Sequence, residues 1–176
     1  MPRAPLKKQE LCIGFPPIVG RGAHTLILGS MPGAKALAAR RYYAHPHNAF
    51  WKIMSRLFDA PIETYAQRRA IILGNKLALW DVLKTCERAG SLDAAIKNSV
   101  VNDFAPFFRR HKTIRRVFFN GTHAEKEFMK RVWPDLPDEI RARLTLARLN
   151  ATSPANASSD FKTKLAAWRV VARIKP

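Results

Sequence analysis

The 176-residue sequence is short of acid: 13 Asp and Glu stand against 31 Lys and Arg, which leaves a formal charge of +18. Such a surplus favours a polyanionic partner, nucleic acid before an anionic membrane, because each cation placed on a phosphate releases condensed counterions. Cysteine is almost missing as well. Cys12 and Cys86 are too few for a disulfide framework, a four-thiolate zinc site or an iron–sulfur cluster, and a reducing compartment fits them. No apolar stretch approaches the ~20 residues that a membrane span needs. Arg3, Lys7 and Lys8 ahead of the apolar run 11–19 imitate a signal peptide. Pro16-Pro17 breaks that run, however, and Arg21 stands where a small-residue cleavage site belongs. These shortages predict a cytoplasmic, DNA- or RNA-associated protein with no membrane partner. What is plentiful is apolar surface: 47% hydrophobic residues exclude a disordered basic tail and supply the core of an α/β domain. One domain over 1–176 is expected, with 1–20 as an extended N-terminal segment.

Apolar runs rich in β-formers predict four strands: 23–28, 77–80, 117–119 and 144–149. The first opens into Gly29-Ser30-Met31-Pro32-Gly33, the second stops at Asp81, the third at Asn120-Gly121, and the fourth enters a loop of Thr152, Ser153, Pro154, Ala155 and Asn156. Between them lie helical patterns. Phe50, Trp51, Met54 and Leu57 form one stripe. Thr64 with Gln67, and Thr122 with Glu125, make capping-box signals, the former helix ending at Gly74. A helical region over 91–111 gathers Phe104, Phe107 and Phe108 and ends in Arg109, Arg110, His111 and Lys112. The last helix puts Phe161, Leu165, Trp168 and Val171 inside, with Lys162, Lys164, Arg169 and Arg173 outside. Strand, loop and helix recurring four times predict a three-layer αβα sandwich around a central, mainly parallel four-stranded sheet. Ligands of such sheets gather beyond the carboxyl ends of the strands, where all four loops above converge.

The Gly29–Gly33 loop is no P-loop, since no Gly-Lys-Ser/Thr triplet follows. Asn48 is either a site residue or the N-cap of the helix through Phe50 and Trp51. Asp81 either accepts from a ligand N–H or caps the next helix, and Asn120 either lines a pocket or makes an Asn-Gly turn. His45 and His47 lack a third ligand at a characteristic distance, so no metal is expected.

Read together, GSMPG (29–33), YYAHPHNAFW (42–51), LWDVLKTCERAGSLDAAI (79–96), FNGTHA (119–124) and TSPANA (152–157) resemble the uracil-DNA glycosylase superfamily, most closely its hypoxanthine-DNA glycosylase branch. The YAHPHNAFW segment is similar to that of the mismatch-specific branch. The resemblance implies a cofactor-free, monomeric, monofunctional glycosylase that flips a deaminated base, uracil or hypoxanthine, from DNA and hydrolyses its N-glycosidic bond. It implies that Asn48 positions the water and that Tyr43 stacks on the flipped base, with Tyr42 and Phe50 as packing. Gly29, Ser30, Met31 and Pro32 would surround the base, and Asp81 or Asn120 would read its edge. Gly33, Ser153, Pro154, Ala155 and Asn156 would touch the DNA. Two departures stand out. The third position of the first motif is Met31, not a water-orienting Asp or Asn, and the second motif lacks the His that some branches carry. Phosphate contacts are expected from the basic helix end 109–112 and the outer face of the last helix, as well as from cations near the glycine-proline loop.

Overall fold

The computed structural model describes residues 10–157 and 159–173; residues 1–9 of the expected N-terminal segment lie outside the described residues. In chain order the elements are β1 (Glu10–Ile13), β2 (Ile18–Val19), β3 (Thr25–Gly29), α1 (Ala34–Ala39), α2 (Phe50–Phe58), α3 (Tyr65–Gly74), β4 (Leu77–Asp81) and β5 (Leu83–Arg88). They continue as β6 (Lys97–Val101), α4 (Phe104–Arg110), β7 (Arg116–Asn120), α5 (Thr122–Arg131), α6 (Asp138–Arg141), β8 (Thr145–Leu149) and α7 (Phe161–Ala172).

The central sheet has the order β2-β4-β3-β7-β8, with β4, β3, β7 and β8 parallel as expected and the two-residue β2 added antiparallel at one edge. Alternation along the parallel strands divides two cores. Leu26, Leu28, Val117 and Phe119 face α4, α5 and α6, whose Phe104, Phe108, Phe128 and Ile140 cover them. Ile27, Leu79 and Phe118 face α2, α3 and α7, through Phe50, Ile72 and Trp168. The Thr64 capping box forms as predicted: Gln67 N–H donates to Thr64 Oγ1 at 3.2 Å, and Thr64 N–H to Gln67 Oε1 at 2.8 Å.

Several expectations are corrected. The region 91–111 is not one helix. Its first half holds β6, and only Phe104–Arg110 is α-helical. β5, β6 and β1 form a second, antiparallel sheet of order β1-β5-β6, in which Cys12 faces Cys86 across the β1–β5 pair. Thr122 does not cap α5; Gly121 is the N-cap residue, its φ of +96° supplying the turn, and Thr122 is the first helical residue. On α7, Phe161 is exposed, whereas Lys164 is buried, its Nζ donating to Asn156 O at 2.9 Å. The aliphatic stem of a lysine packs readily while its ammonium seeks an acceptor, here the loop carbonyl.

Candidate functional site

The parallel strands end side by side at Gly29, Asp81, Asn120 and Leu149, and the pairing register puts Gly29 next to Asp81 and Asn120 next to Leu149. A Cβ on Gly29 would collide with Asp81 Oδ1 and lie 3.0 Å from the Tyr43 hydroxyl. Glycine is therefore what lets these two polar groups close over the strand end. Gly121 plays the same part on the other side, where a Cβ would come within 2.8 Å of Ala151 Cβ.

Tyr43 reaches this point in the left-handed region, φ +52°, a conformation that costs a bulky residue about 1–2 kcal/mol. Two contacts hold it there. Its ring stacks on Phe50 with centroids 4.0 Å apart and planes 21° apart, and its hydroxyl accepts from Asn120 Nδ2 at 3.0 Å. Burial, then the Asp81 carboxyl, push the Tyr43 phenol far above its ordinary range, so it stays neutral. Tyr42, 3% exposed, and Phe50 pack as expected.

Asn120 is a clasp. Its Nδ2 also donates to Thr152 Oγ1 at 2.9 Å, and its Oδ1 accepts from Thr152 N–H at 2.9 Å. Both amide hydrogens are thus engaged within the protein. Thr152 O in turn accepts from Ala49 N–H at 3.0 Å, so the loops after β7, β8 and Tyr43 form one connected rim. Beyond Thr152, Ser153 Oγ accepts from Ala155 N–H at 3.2 Å and Asn156 Nδ2 donates to Ala151 O at 3.1 Å. Pro154 and Ala155 remain as an exposed tip.

Asn48 is not the N-cap that its spacing offered, because Ala49 holds that position and makes no side-chain cap bond. Asn48 stands one residue earlier, where its Oδ1 accepts from Phe50 N–H, the first of α2, at 2.9 Å. The second lone pair of that oxygen and the amide Nδ2 are left over from that bond, and the residue is half-buried.

The Gly29–Gly33 loop is tied down from outside the central sheet. Gly29 O and Ser30 O accept from Val82 and Leu83 N–H at 2.9 and 3.0 Å. Ser30 Oγ donates to Asp93 Oδ1 at 2.9 Å, Ala34 N–H donates to Ser91 Oγ at 2.9 Å, and Arg88 Nη2 donates to Pro32 O. Met31 is 7% exposed and packs into the α4–α5 core, so its side chain is directed into packing. Gly33 is the N-cap residue of α1. Arg88, Ser91 and Asp93 were not singled out in the sequence. The helical reading of 91–111 absorbed Ser91 and Asp93, and Arg88 lay in the unassigned stretch before it.

Asp81 is the electrostatic centre. It is 4% exposed, and its Oδ2 has no protein partner among the described residues. Burial, with a smaller push from Asp93 and an opposing pull from Arg88, lifts its carboxyl to about 7. Arg88 is 2% exposed, with Nε and Nη1 likewise unpartnered among the described residues. An acceptor left unpaired in a dry site costs ~1–3 kcal/mol, and a ligand N–H would recover that.

The basic helix end is not at this edge. From Arg110 the chain passes directly into the start of β7, and Arg115 and Arg116 N–H donate to His24 O, just before β3. The end of α7 is there too, with Arg116 Nη1 donating to Arg173 O at 2.6 Å. Arg109 to Lys112 and Arg173 therefore sit at or toward the opposite edge, which corrects the expectation that they bracket the site. Of the cations expected on the last helix's outer face, Lys162 lies at the site end. His45 and His47 rings are 5.7 Å apart, and no group of three or more His, Cys, Asp or Glu among the described residues is placed to hold a metal ion. No described helix is long and apolar enough to cross a membrane.

The chain is similar to proteins of known family. A hypoxanthine DNA glycosylase of Methanosarcina barkeri is 35% identical over 118 residues, 66% of this chain and 72% of its own. One of Methanosarcina acetivorans is 31% identical over 113 residues, 63% of this chain and 72% of its own. The solution NMR structure of a candidate uracil DNA glycosylase from M. acetivorans superposes with a TM-score of 0.78 at 26% identity, covering 93% of this chain and 98% of that one. Residues 16–172 match the Uracil DNA glycosylase superfamily, and the chain belongs to that superfamily.

Proposed function

We propose that the chain is a monofunctional DNA glycosylase that extrudes a deaminated base, hypoxanthine foremost and uracil as the smaller alternative, and hydrolyses its N-glycosidic bond. Water oxygen attacks C1′, the bond to the base breaks with its electron pair leaving on the base, the water's proton ends on that base through solvent, and an abasic site with a C1′ hydroxyl remains. The observation that carries this reading is the buried Asp81 carboxyl, unpartnered at Oδ2 and set over Gly29 beside a neutral tyrosine. Hypoxanthine and uracil both present a ring N–H beside a carbonyl, where adenine and cytosine present a bare ring nitrogen. An ionised Asp81 accepts from the first pair and is repelled by the lone pair of the second. Tyr43 supplies the stacking surface that offsets the few kcal/mol of extrusion. Asn48, with the amide capacity left over from its bond to Phe50 N–H, positions the water. Asn120 acts indirectly, by holding Tyr43 and Thr152. The exposed tip at Pro154 and Ala155, with Ser153 and Asn156 beside it, meets the DNA, as does Gly33 at the start of α1. Two curated relatives named hypoxanthine DNA glycosylase support the choice of base.

Met31 packed into the core, and no imidazole in the loop after β8, favour one rival: a protein that holds damaged DNA without turning it over. Single-turnover assays on duplexes carrying hypoxanthine, uracil or xanthine separate the two. Alkali-labile strands from the hypoxanthine duplex are expected; gel retention with no alkali-labile product from any of the three overturns the enzyme in favour of the binder.

A further inference from the structure

Two adjoining cavities, of about 480 and 560 Å³, share Pro17, Ile18 and Arg69 along the edge strand β2. The first is lined by Leu37, Arg40, Tyr42 and Tyr65, and so begins at the residue before Tyr43; the second continues past Leu73 and Phe107 to Arg110 and His111. Together they make a groove along the β2 flank of the sheet, from Leu37, Arg40 and Tyr42 at the end nearer the candidate site to Arg110 and His111 at the other, about the depth of a five-residue strand, ~17 Å. Arg40, Arg69 and Arg110 rim it, Arg41 lies over the Tyr65 ring at 5.6 Å, and no Asp or Glu lines either part.

We infer that this groove is a second nucleic-acid surface, which takes a single-stranded continuation of the DNA leading away from the site. Three observations select that occupant. Arginines spaced among aromatic, proline and leucine faces suit a strand whose bases are free to stack while its phosphates pair; a duplex would bring only phosphates to those apolar faces. A peptide strand adding to the sheet edge is disfavoured, because β2 has only two residues and follows Pro16-Pro17, which offer no N–H. The chain's own residues 1–9 are also unsuited, since Arg3, Lys7 and Lys8 carry the groove's sign with no acid among them. The basic helix end, remote from the site, thereby acquires a partner.

The inference rests on DNA as the substrate, and its test is read by binding, separately from excision. Fluorescence anisotropy should show tighter binding to a lesion duplex with a single-stranded extension than to the blunt duplex, by about tenfold. Arg69→Glu with Arg110→Glu should abolish that advantage. The milder Arg69→Ala with Arg110→Ala should lower the salt slope for a lesion-free single strand by about 1.4, two contacts at ~0.7 each. Excision from the blunt duplex should be unchanged in both variants. Equal affinity for blunt and extended duplexes in the unaltered chain overturns the inference, as does single-strand binding indifferent to both arginines, or a dimer formed through this face. If neither duplex is cleaved while the arginine-dependent binding persists, the glycosylase reading fails and the groove stands.

Discussion

Burial holds the Asp81 carboxyl near pH 7, where its two protonation states have opposite value for the fold and for the reading of a base. Between the ordinary carboxylate range near 4 and about 7, the native state keeps a proton that the unfolded chain has released. Stability therefore falls as pH rises through that window, and Asp81→Asn should flatten the slope and melt above the unaltered protein at pH 8. The proposed recognition runs the other way, because only the ionised carboxyl accepts without donating. Single-turnover excision should rise through a transition near pH 7 in the unaltered protein, and Asp81→Asn should lack it; a flat profile in both would remove Asp81 from base recognition. Asn48 faces a different test, since its oxygen already accepts from the first N–H of α2. Asn48→Ala should cut single-turnover cleavage by about 10²-fold or more with binding largely kept. Asn48→Asp, which preserves the acceptor for Phe50 N–H, should recover the melting temperature; full cleavage by an Asn48→Ala chain at a temperature where it is folded would leave the residue structural only.

At the scale of elements, the parallel strands and their ends were legible because fully buried strands read as unbroken apolar runs. That alone brought Gly29, Asp81, Asn120 and the loop after β8 to one edge. The small sheet was not legible. Lys97–Val101 has no residue that is fully buried, and Leu83–Arg88 is interrupted by Lys84 and by a register shift against β6, so neither shows a strand's clean alternation. Thr122 misled because Gly121, in the left-handed region, already supplied the turn. The cost of missing β5 and β6 was functional, since the segment between them carries Ser91 and Asp93, and Arg88 ends β5. These bind the loop after β3 to a second sheet and set the charge around Asp81. Asp93→Asn isolates that electrostatic part: an amide oxygen can still accept from Ser30 Oγ, but the negative neighbour that helps raise Asp81 is gone. The Asp81-dependent transition should then move below 7 in the same activity profile, with the melting temperature at pH 5 little changed. A transition that stays in place would leave burial as its sole cause.

Across the whole molecule, part of the basic surplus behind the +18 charge lies away from the site edge, because α4 and the described end of α7 stop where β7 begins. A blunt duplex at the Gly29–Asp81 edge does not meet Arg110 and His111 at the far end of the groove. Affinity for a blunt lesion duplex should still fall steeply with salt, by about 10³-fold between roughly 50 and 200 mM if some six phosphates are neutralised. The ratio of excision rates for hypoxanthine and adenine should stay constant over the same range, because phosphate contacts place the chain on DNA while the choice of base rests with the buried edge around Asp81 and Tyr43. Charge screening acts on exposed pairs and much less on a carboxyl that is 4% exposed. Single-turnover rates at saturating enzyme, measured at three salt concentrations, separate the two effects. A base preference that drifts with salt would mean that discrimination occurs during encounter on the surface, and the buried carboxyl would then lose its proposed place in reading the base.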